Sequence, residues 1–344
     1  MTKYEYIEQI LNDLGCRKYR FGQVLDAIFS LKITRYEDMK QLPAEVRRAL
    51  AAALGENTVG FADAVHSVCR QTDKTVFMLP DGCKTETIAL KYRKGWNSFC
   101  ISSQCGCACG CKFCATGGMG FKRNLTADEI TDQLLYFLLA GKKLDSVSFM
   151  GMGEPLLNPH TFTALRMLTD DRLFGLSQRR LTLSTVGIPH GIERMTDEFP
   201  AVNLAFSLHA PTDRSRSALM PINDKYRISD VFAALDRHIR TTNRRVFLAY
   251  VMLGGVNDGD AEARALVELI NKHDRCKPLY RIDLIPYNKT SKGFFVPSDK
   301  ARIEKFRNIL TRAGIGASIR TQFGSDINAA CGQLVADLND NADK

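Results

Sequence analysis

The stretch SFCISSQCGCACGCKFCATGGMGFKRNL, from Ser98 to Leu125, decides how the rest of the chain is read. It places five cysteines in ten residues, Cys105, Cys107, Cys109, Cys111 and Cys114, with Cys100 just upstream. Soft sulfur ligands at this density suit zinc or an iron–sulfur cluster. Only Cys107, Cys111 and Cys114 satisfy C-x3-C-x2-C, because the same spacing begun at Cys105 reaches Cys109 and then meets Lys112.

Three thiolates on a four-iron cluster leave one iron without a protein sulfur. Such an iron can chelate the amino and carboxylate groups of S-adenosylmethionine and pass an electron to its sulfonium, which is a route to radical chemistry. Zinc is the competing expectation. Cys105, Cys107, Cys111 and Cys114 could supply its tetrahedron, although structural zinc motifs normally draw on separated pairs.

Outward from this stretch the chain alternates strand and helix. Apolar, β-rich runs fall at Phe99–Ser102, Ser146–Met150, Leu181–Thr185, Asn203–Ser207, Val246–Met252, Arg281–Ile285 and Ala317–Thr321. Helical patterns separate them, at Thr126–Ala140 with its N-cap and acidic first turn, Ser229–Thr241 and Ala261–His273. Repeated βα units predict an α/β fold, a partial (β/α) barrel over residues 97–331. Polar and glycine residues follow most strands, where a barrel assembles its site: Gly151-Met152-Gly153-Glu154, Ser184-Thr185, Ser207-Leu208-His209 and Pro286-Tyr287-Asn288.

Upstream, residues 1–58 carry helical spacing at Tyr6, Ile7, Ile10 and Leu11, at Phe21, Val24, Leu25, Ile28 and Phe29, and at Val46, Leu50 and Leu54. They predict a small helical domain. Residues 59–96 read as a β-hairpin linker, with strands at Thr75–Leu79 and Thr85–Leu90, and residues 332–344 as a frayed tail.

Among 344 residues, 47 Lys+Arg against 38 Asp+Glu give a net charge of +9. That excess favours a polyanionic partner, with the helical domain and the basic runs Lys91-Tyr92-Arg93-Lys94 and Arg179-Arg180 as the natural grips. No apolar run is long enough to span a bilayer, and the charged N-terminus lacks a secretory apolar core, so a cytoplasmic protein without membrane contact is expected. In that reducing compartment, eleven cysteines point to metal binding or catalysis rather than structural disulfides.

Several motifs together carry a resemblance: FCISSQCGC, GCKFCATG, GFKRNLTADEITDQ, SFMGMGEP, FSLHAPTD, LMPIND and DINAACGQL. With them the chain resembles, over nearly its whole length, the RlmN/Cfr family of radical S-adenosylmethionine ribosomal RNA adenine methyltransferases, and most of all the Cfr branch. The resemblance implies a [4Fe-4S] cluster on Cys107, Cys111 and Cys114. It implies two S-adenosylmethionine molecules per turnover, held by Gly153, Glu154, Ser184, Ser207, Leu208, His209 and Asn288. It places a methyl-carrying cysteine at Cys331, a resolving cysteine at Cys100 and a general base at Glu86, although a glutamate on a strand is more often simply solvent-facing.

The chemistry needs this detour. Adenine C2 and C8 are electron-poor carbons without a lone pair and cannot attack a sulfonium methyl. A carbon radical on the Cys331 sulfur can add to them, and a Cys100 thiolate then releases the base by forming a disulfide with Cys331. The implied partners are 23S ribosomal RNA, in a protein-poor or assembling state, and an electron donor such as flavodoxin or ferredoxin. The Cfr branch implies methylation at C8 in the peptidyl transferase centre and antibiotic resistance. Pro155 after Glu154 is the RlmN-type residue and keeps a C2 activity, on transfer RNA as well, as the alternative. The remote alternative is a zinc-stabilised RNA-binding module without catalysis. Cys105 and Cys109 have no role from spacing.

Overall fold

The computed structural model describes residues 1–61, 63–69, 71–92, 95–290, 294–321 and 330–334. Arg93 and Lys94, the middle of the 286–300 loop, residues 322–329 of the closing motif and residues 335–344 of the tail lie outside the described residues.

The chain opens with helices α1 (Lys3–Asp13), α2 (Tyr19–Phe29) and α3 (Ala44–Leu54). Thr2 and Glu5 form a reciprocal capping box that starts α1. Ile7, Val24, Ile28 and Leu50 are wholly buried between the helices, each such side chain contributing roughly 1.5–3 kcal/mol of transfer free energy.

Three strands follow, β1 (Asp63–Cys69), β2 (Thr72–Met78) and β3 (Lys84–Lys91), then β4 (Asn97–Ile101). A two-stranded ribbon, β5 (Gln104–Gly106) and β6 (Phe121–Asn124), encloses the short helix α4 (Ala115–Gly118). Next come α5 (Ala127–Leu139), β7 (Ser146–Phe149), α6 (Thr161–Thr169), β8 (Leu181–Thr185), α7 (Pro189–Glu198), β9 (Asn203–Ser207), α8 (Asp213–Leu219), α9 (Ile228–Thr242), β10 (Val246–Met252), α10 (Asp260–Asn271), β11 (Tyr280–Pro286), α11 (Lys300–Arg312) and β12 (Gly316–Ile319).

Among the described residues one ten-stranded sheet runs β1-β2-β3-β4-β7-β8-β9-β10-β11-β12. From β4 to β12 every pairing is parallel, as βα alternation predicts. The ends of the sheet, β1 and β12, are not paired with each other, so the barrel is open along one side. The segment expected to be a two-stranded linker holds three strands. It is no separate hairpin, because β3 pairs antiparallel with β4 and extends the barrel sheet. One face of the parallel strands is enclosed under the helices, with Leu183, Phe206, Leu248 and Ile282 fully buried, and the other, with Thr182, Ser184 and Asp283, looks into the barrel.

Candidate active site

The C-terminal end of β4 leads into the cysteine loop. Gly106 turns the chain with φ +77°, and a β-carbon there would lie 1.9 Å from the Gly120 carbonyl oxygen, so only glycine fits. Cys107 N donates to Gly120 O at 3.0 Å, and Cys114 N donates to Cys111 O at 3.1 Å, which folds the three spaced cysteines into one compact turn.

Burial and the neighbouring thiols push Cys111 and Cys114 above the ordinary thiol range. Cys107 is lowered, chiefly by the neighbouring Cys109 thiol, and Cys109 is pushed up in turn. Cys105 instead sits buried in β5, with Cys83, Arg123 and Glu129 as its charged and thiol neighbours. Among the described residues no three His, Cys, Asp or Glu side chains close round a point as one metal ion requires. Cys107, Cys111 and Cys114, gathered in one turn, offer three soft sulfur ligands, a set that fits an iron–sulfur cluster with one iron left open.

Arg216 completes this floor and was not singled out from the sequence. It is fully buried, donating to Leu208 O at 3.1 Å, Val186 O at 2.6 Å, Ser207 O at 3.0 Å and Asn223 Oδ1 at 2.8 Å. Its charge draws Cys111 toward the thiolate. The only sequence signal for it was its position between the quoted motifs FSLHAPTD and LMPIND.

Above the loop lies a cavity of about 350 Å³ lined by Cys114, Gly153, Glu154, Ser184, Ser207, His209, Asn288 and Cys331. An adjoining lobe of about 640 Å³ is lined by Ile88, Leu90, Cys100, Cys114, Asn288, Arg320 and Cys331. Nearly all residues expected to hold S-adenosylmethionine thus meet in one place. Leu208 does not: its side chain is in the core, and its carbonyl is taken by Arg216.

Gly153 has φ +97°, and a β-carbon would come 2.5 Å from Gln104 Cβ, so the backbone can approach closely here. Glu154 is buried and pushed up to about 7 by desolvation, against hydrogen bonds from Val186 N at 2.7 Å and Leu156 N at 3.1 Å. Ser184 and Ser207 hydroxyls are 3.4 Å apart across neighbouring strands. His209 adopts left-handed backbone, φ +56°, and its Nδ1 accepts from Val251 N at 3.0 Å. Burial lowers it to about 3, so it serves as a neutral acceptor.

Cys331 is brought to the cluster loop by a strap. Ala115 N donates to Gly332 O at 2.8 Å, and the Thr116 hydroxyl donates to Leu334 O at 2.7 Å across 218 residues of sequence. Asn288 Nδ2 adds a bond to Cys331 O at 3.3 Å. The Cys331 thiol is exposed to the cavity, whereas Cys100 is pushed up to about 12 by burial and by the charge of Cys331. Arg320, also missed from the sequence, stands by this pair. Its guanidinium is 3.9 Å from Cys331 Sγ and 3.6 Å from Met150 Sδ, and its charge favours the Cys100 thiolate.

Glu86 is fully buried, not solvent-facing. It lies on β3 two and four residues from Ile88 and Leu90, which line the larger lobe, so period-two alternation puts it on their face. All eleven cysteines are free thiols, Cys100 and Cys331 included.

Residues 101–267 match the Radical SAM superfamily. Over 338 residues, 98% of each chain, the sequence is 54% identical to the ribosomal RNA large subunit methyltransferase Cfr of Lachnoclostridium phytofermentans. The chain belongs to the Cfr family of radical SAM methyltransferases. The protein of the same name from Staphylococcus aureus is 48% identical, covering 97% of this chain and 96% of that one. A solved radical SAM methyltransferase from Sphaerobacter thermophilus superposes with a TM-score of 0.90 at 38% identity, over 97% of this chain and 98% of that one. Cfr-family membership accounts for the cysteine loop and the open barrel together. No helix among the described residues is long and apolar enough to cross a membrane.

Proposed function

We propose that the chain methylates C8 of an adenosine in the peptidyl transferase centre of 23S ribosomal RNA and so obstructs antibiotics that bind there. The observation that carries this reading is the pair Cys331 and Cys100 on one cavity, with Arg320 beside them and Cys114 of the cluster loop in the same wall. A plain S-adenosylmethionine methyltransferase needs no such pair.

Cys107, Cys111 and Cys114 would hold a [4Fe-4S] cluster, and Gly153, Glu154, Ser184, Ser207, His209 and Asn288 would hold S-adenosylmethionine. Bound together, and reduced by a flavodoxin or ferredoxin, these groups supply a methyl group and an organic radical, at two S-adenosylmethionine molecules per turnover.

The protein's own residues do the rest. Cys331, exposed and steadied by Asn288 and the strap, carries the one-carbon unit to the base. Cys100 then attacks Cys331 sulfur as the thiolate: a sulfur–sulfur bond forms, the sulfur–carbon bond breaks, and its electron pair stays on the methylene carbon, which takes up a proton to become the methyl group of the base. Glu86 is the buried carboxylate on that side of the cavity suited to accept the C8 proton. The helical domain of residues 1–58 grips the RNA.

Mass spectrometry of nucleosides from ribosomal RNA of expressing cells tests the reading, with 8-methyladenosine expected. Only 2-methyladenosine would move the activity to C2. The variant Cys100→Ala should accumulate a covalent protein–RNA adduct, and free protein after turnover would remove Cys100 from the mechanism.

A further inference from the structure

Arg179 and Arg180 are not at the cavity mouth. They precede β8, at the N-terminal edge of the parallel strands. Trp96 precedes β4 and Arg244-Arg245 precede β10 on the same edge, so one rim crosses the sheet from β4 to β10.

This rim is built unlike an ordinary solvated surface. Trp96 is 44% exposed, held by a bond from its Nε1 to Ser146 Oγ at 3.0 Å, with the Arg180 guanidinium 5.9 Å over its ring. Arg244 is held by a neutral amide, Asn203 Oδ1 at 2.8 Å, and its Nε is buried without a partner among the described residues. Arg179 stands near enough to Arg244 for their like charges to oppose one another. The nearby acid, Asp145, pairs with Lys143 at 2.8 Å and feels the Arg180 charge only through space. Arg179, Arg180 and Arg245 have no carboxylate within ion-pair distance among the described residues. Crowded guanidiniums beside an exposed indole suit phosphates and an unpaired base.

A path joins the rim to the catalytic cavity. Tyr92 lines the larger lobe, and its backbone N donates to Trp96 O at 2.8 Å. We propose that an RNA strand leaving the cavity continues over Tyr92 and Trp96 onto this rim, where its phosphates meet Arg179, Arg180 and Arg245 and one base stacks on Trp96. The inference rests on the RNA methyltransferase reading above. An acidic electron carrier fits the rim less well, because the cysteine loop follows the other end of β4, about 16 Å of strand away.

Trp96 is the single tryptophan of the chain, so its fluorescence reports this contact directly. Titrating the full-length protein with a long single-stranded-flanked fragment of large-subunit ribosomal RNA should quench it saturably, and heparin, which has no bases, should not. The double variant Arg179→Glu/Arg180→Glu should weaken that fragment's binding about tenfold or more and lower the salt slope by about 2. Its KM for the long fragment should rise while kcat, and KM for a short fragment confined to the target loop, stay put. An RNA that is methylated without quenching, with affinity indifferent to the double variant, overturns the rim and leaves the activity standing. Absence of any methylated nucleoside with either fragment overturns the activity instead. Unchanged RNA affinity with slower reduction by an acidic flavoprotein also overturns the proposal, in favour of a donor dock.

Discussion

Cys100 and Cys331 share a cavity but not an environment. Cys331 is open to the cavity, while burial pushes Cys100 up to about 12, with Arg320, Ser148 and Met150 N opposing that rise. Only a thiolate can attack, so in the free enzyme the reactive fraction of Cys100 should climb about tenfold per pH unit across the neutral range. The alkylation rate of Cys100, read by peptide mass spectrometry in a Cys331→Ala background, should therefore rise without a plateau up to pH 9. A plateau near pH 8 would mean that Cys100 is an ordinary exposed thiol. The spacing of Cys107, Cys111 and Cys114 was legible in the sequence because one turn imposes it. Arg216 and Arg320 were not, since an arginine in a basic chain gives no local sign that it will be buried.

The predicted barrel strands stand within a residue or two of the observed ones, because apolar residues recur along them toward the helix-covered face, as Leu181 with Leu183 and Ile282 with Leu284 do. The Thr126 cap and Glu129 of α5 were equally plain, as their capping box is a local pattern. β1 and the β5–β6 ribbon were not legible: β1 spreads its apolar Ala64, Val65 and Val68 over both faces, and β5 and β6 are only three and four residues long. Glu86 shows the same limit, since alternation marks a face but does not say which face is buried. The strap between α4 and the Cys331 segment is a case where an element positions chemistry. Thr116→Val keeps shape but leaves the Leu334 carbonyl without its partner in a buried setting. It should cost about 1–3 kcal/mol locally, seen as faster hydrogen exchange at residues 330–334 and a lower kcat with little change in unfolding midpoint. Unaltered exchange there would show that Ala115 and Asn288 suffice to hold Cys331.

At the scale of the molecule, α5 joins the helical domain to the site. One side of it offers Asp128 and Asp132 to the N-terminus: Lys3 N donates to Asp128 Oδ2 at 2.8 Å, Lys3 Nζ pairs with Asp132, and Gly60 N donates to Asp132 Oδ2 at 2.9 Å. The next residue, Gln133, turns inward and bonds the Thr87 hydroxyl at 2.7 Å and Ser102 N at 2.9 Å, fixing the end of β4 that feeds the cysteine loop. The domain that would grip RNA is thus bolted to the helix that holds the cluster strand. Lys3 and Asp132 are only 10% and 4% exposed at their side chains, so removing one partner strands a nearly buried charge. Asp132→Ala should lose about 3 kcal/mol and raise KM for RNA as the helical domain loosens. Asp128, pushed up to about 6 by burial, offers Lys3 a weaker substitute at neutral pH. Replacing both partners with apolar residues, Lys3→Met with Asp132→Leu, should recover the part of the loss due to the unpaired lysine, leaving only the cost of the Gly60 N–H without its acceptor. Denaturant unfolding of the two variants separates the explanations. Equal losses would mean that the pair is needed for its own attraction, and a larger loss in Asp132→Ala would mean that the burial of an unpaired lysine is what loosens the domain.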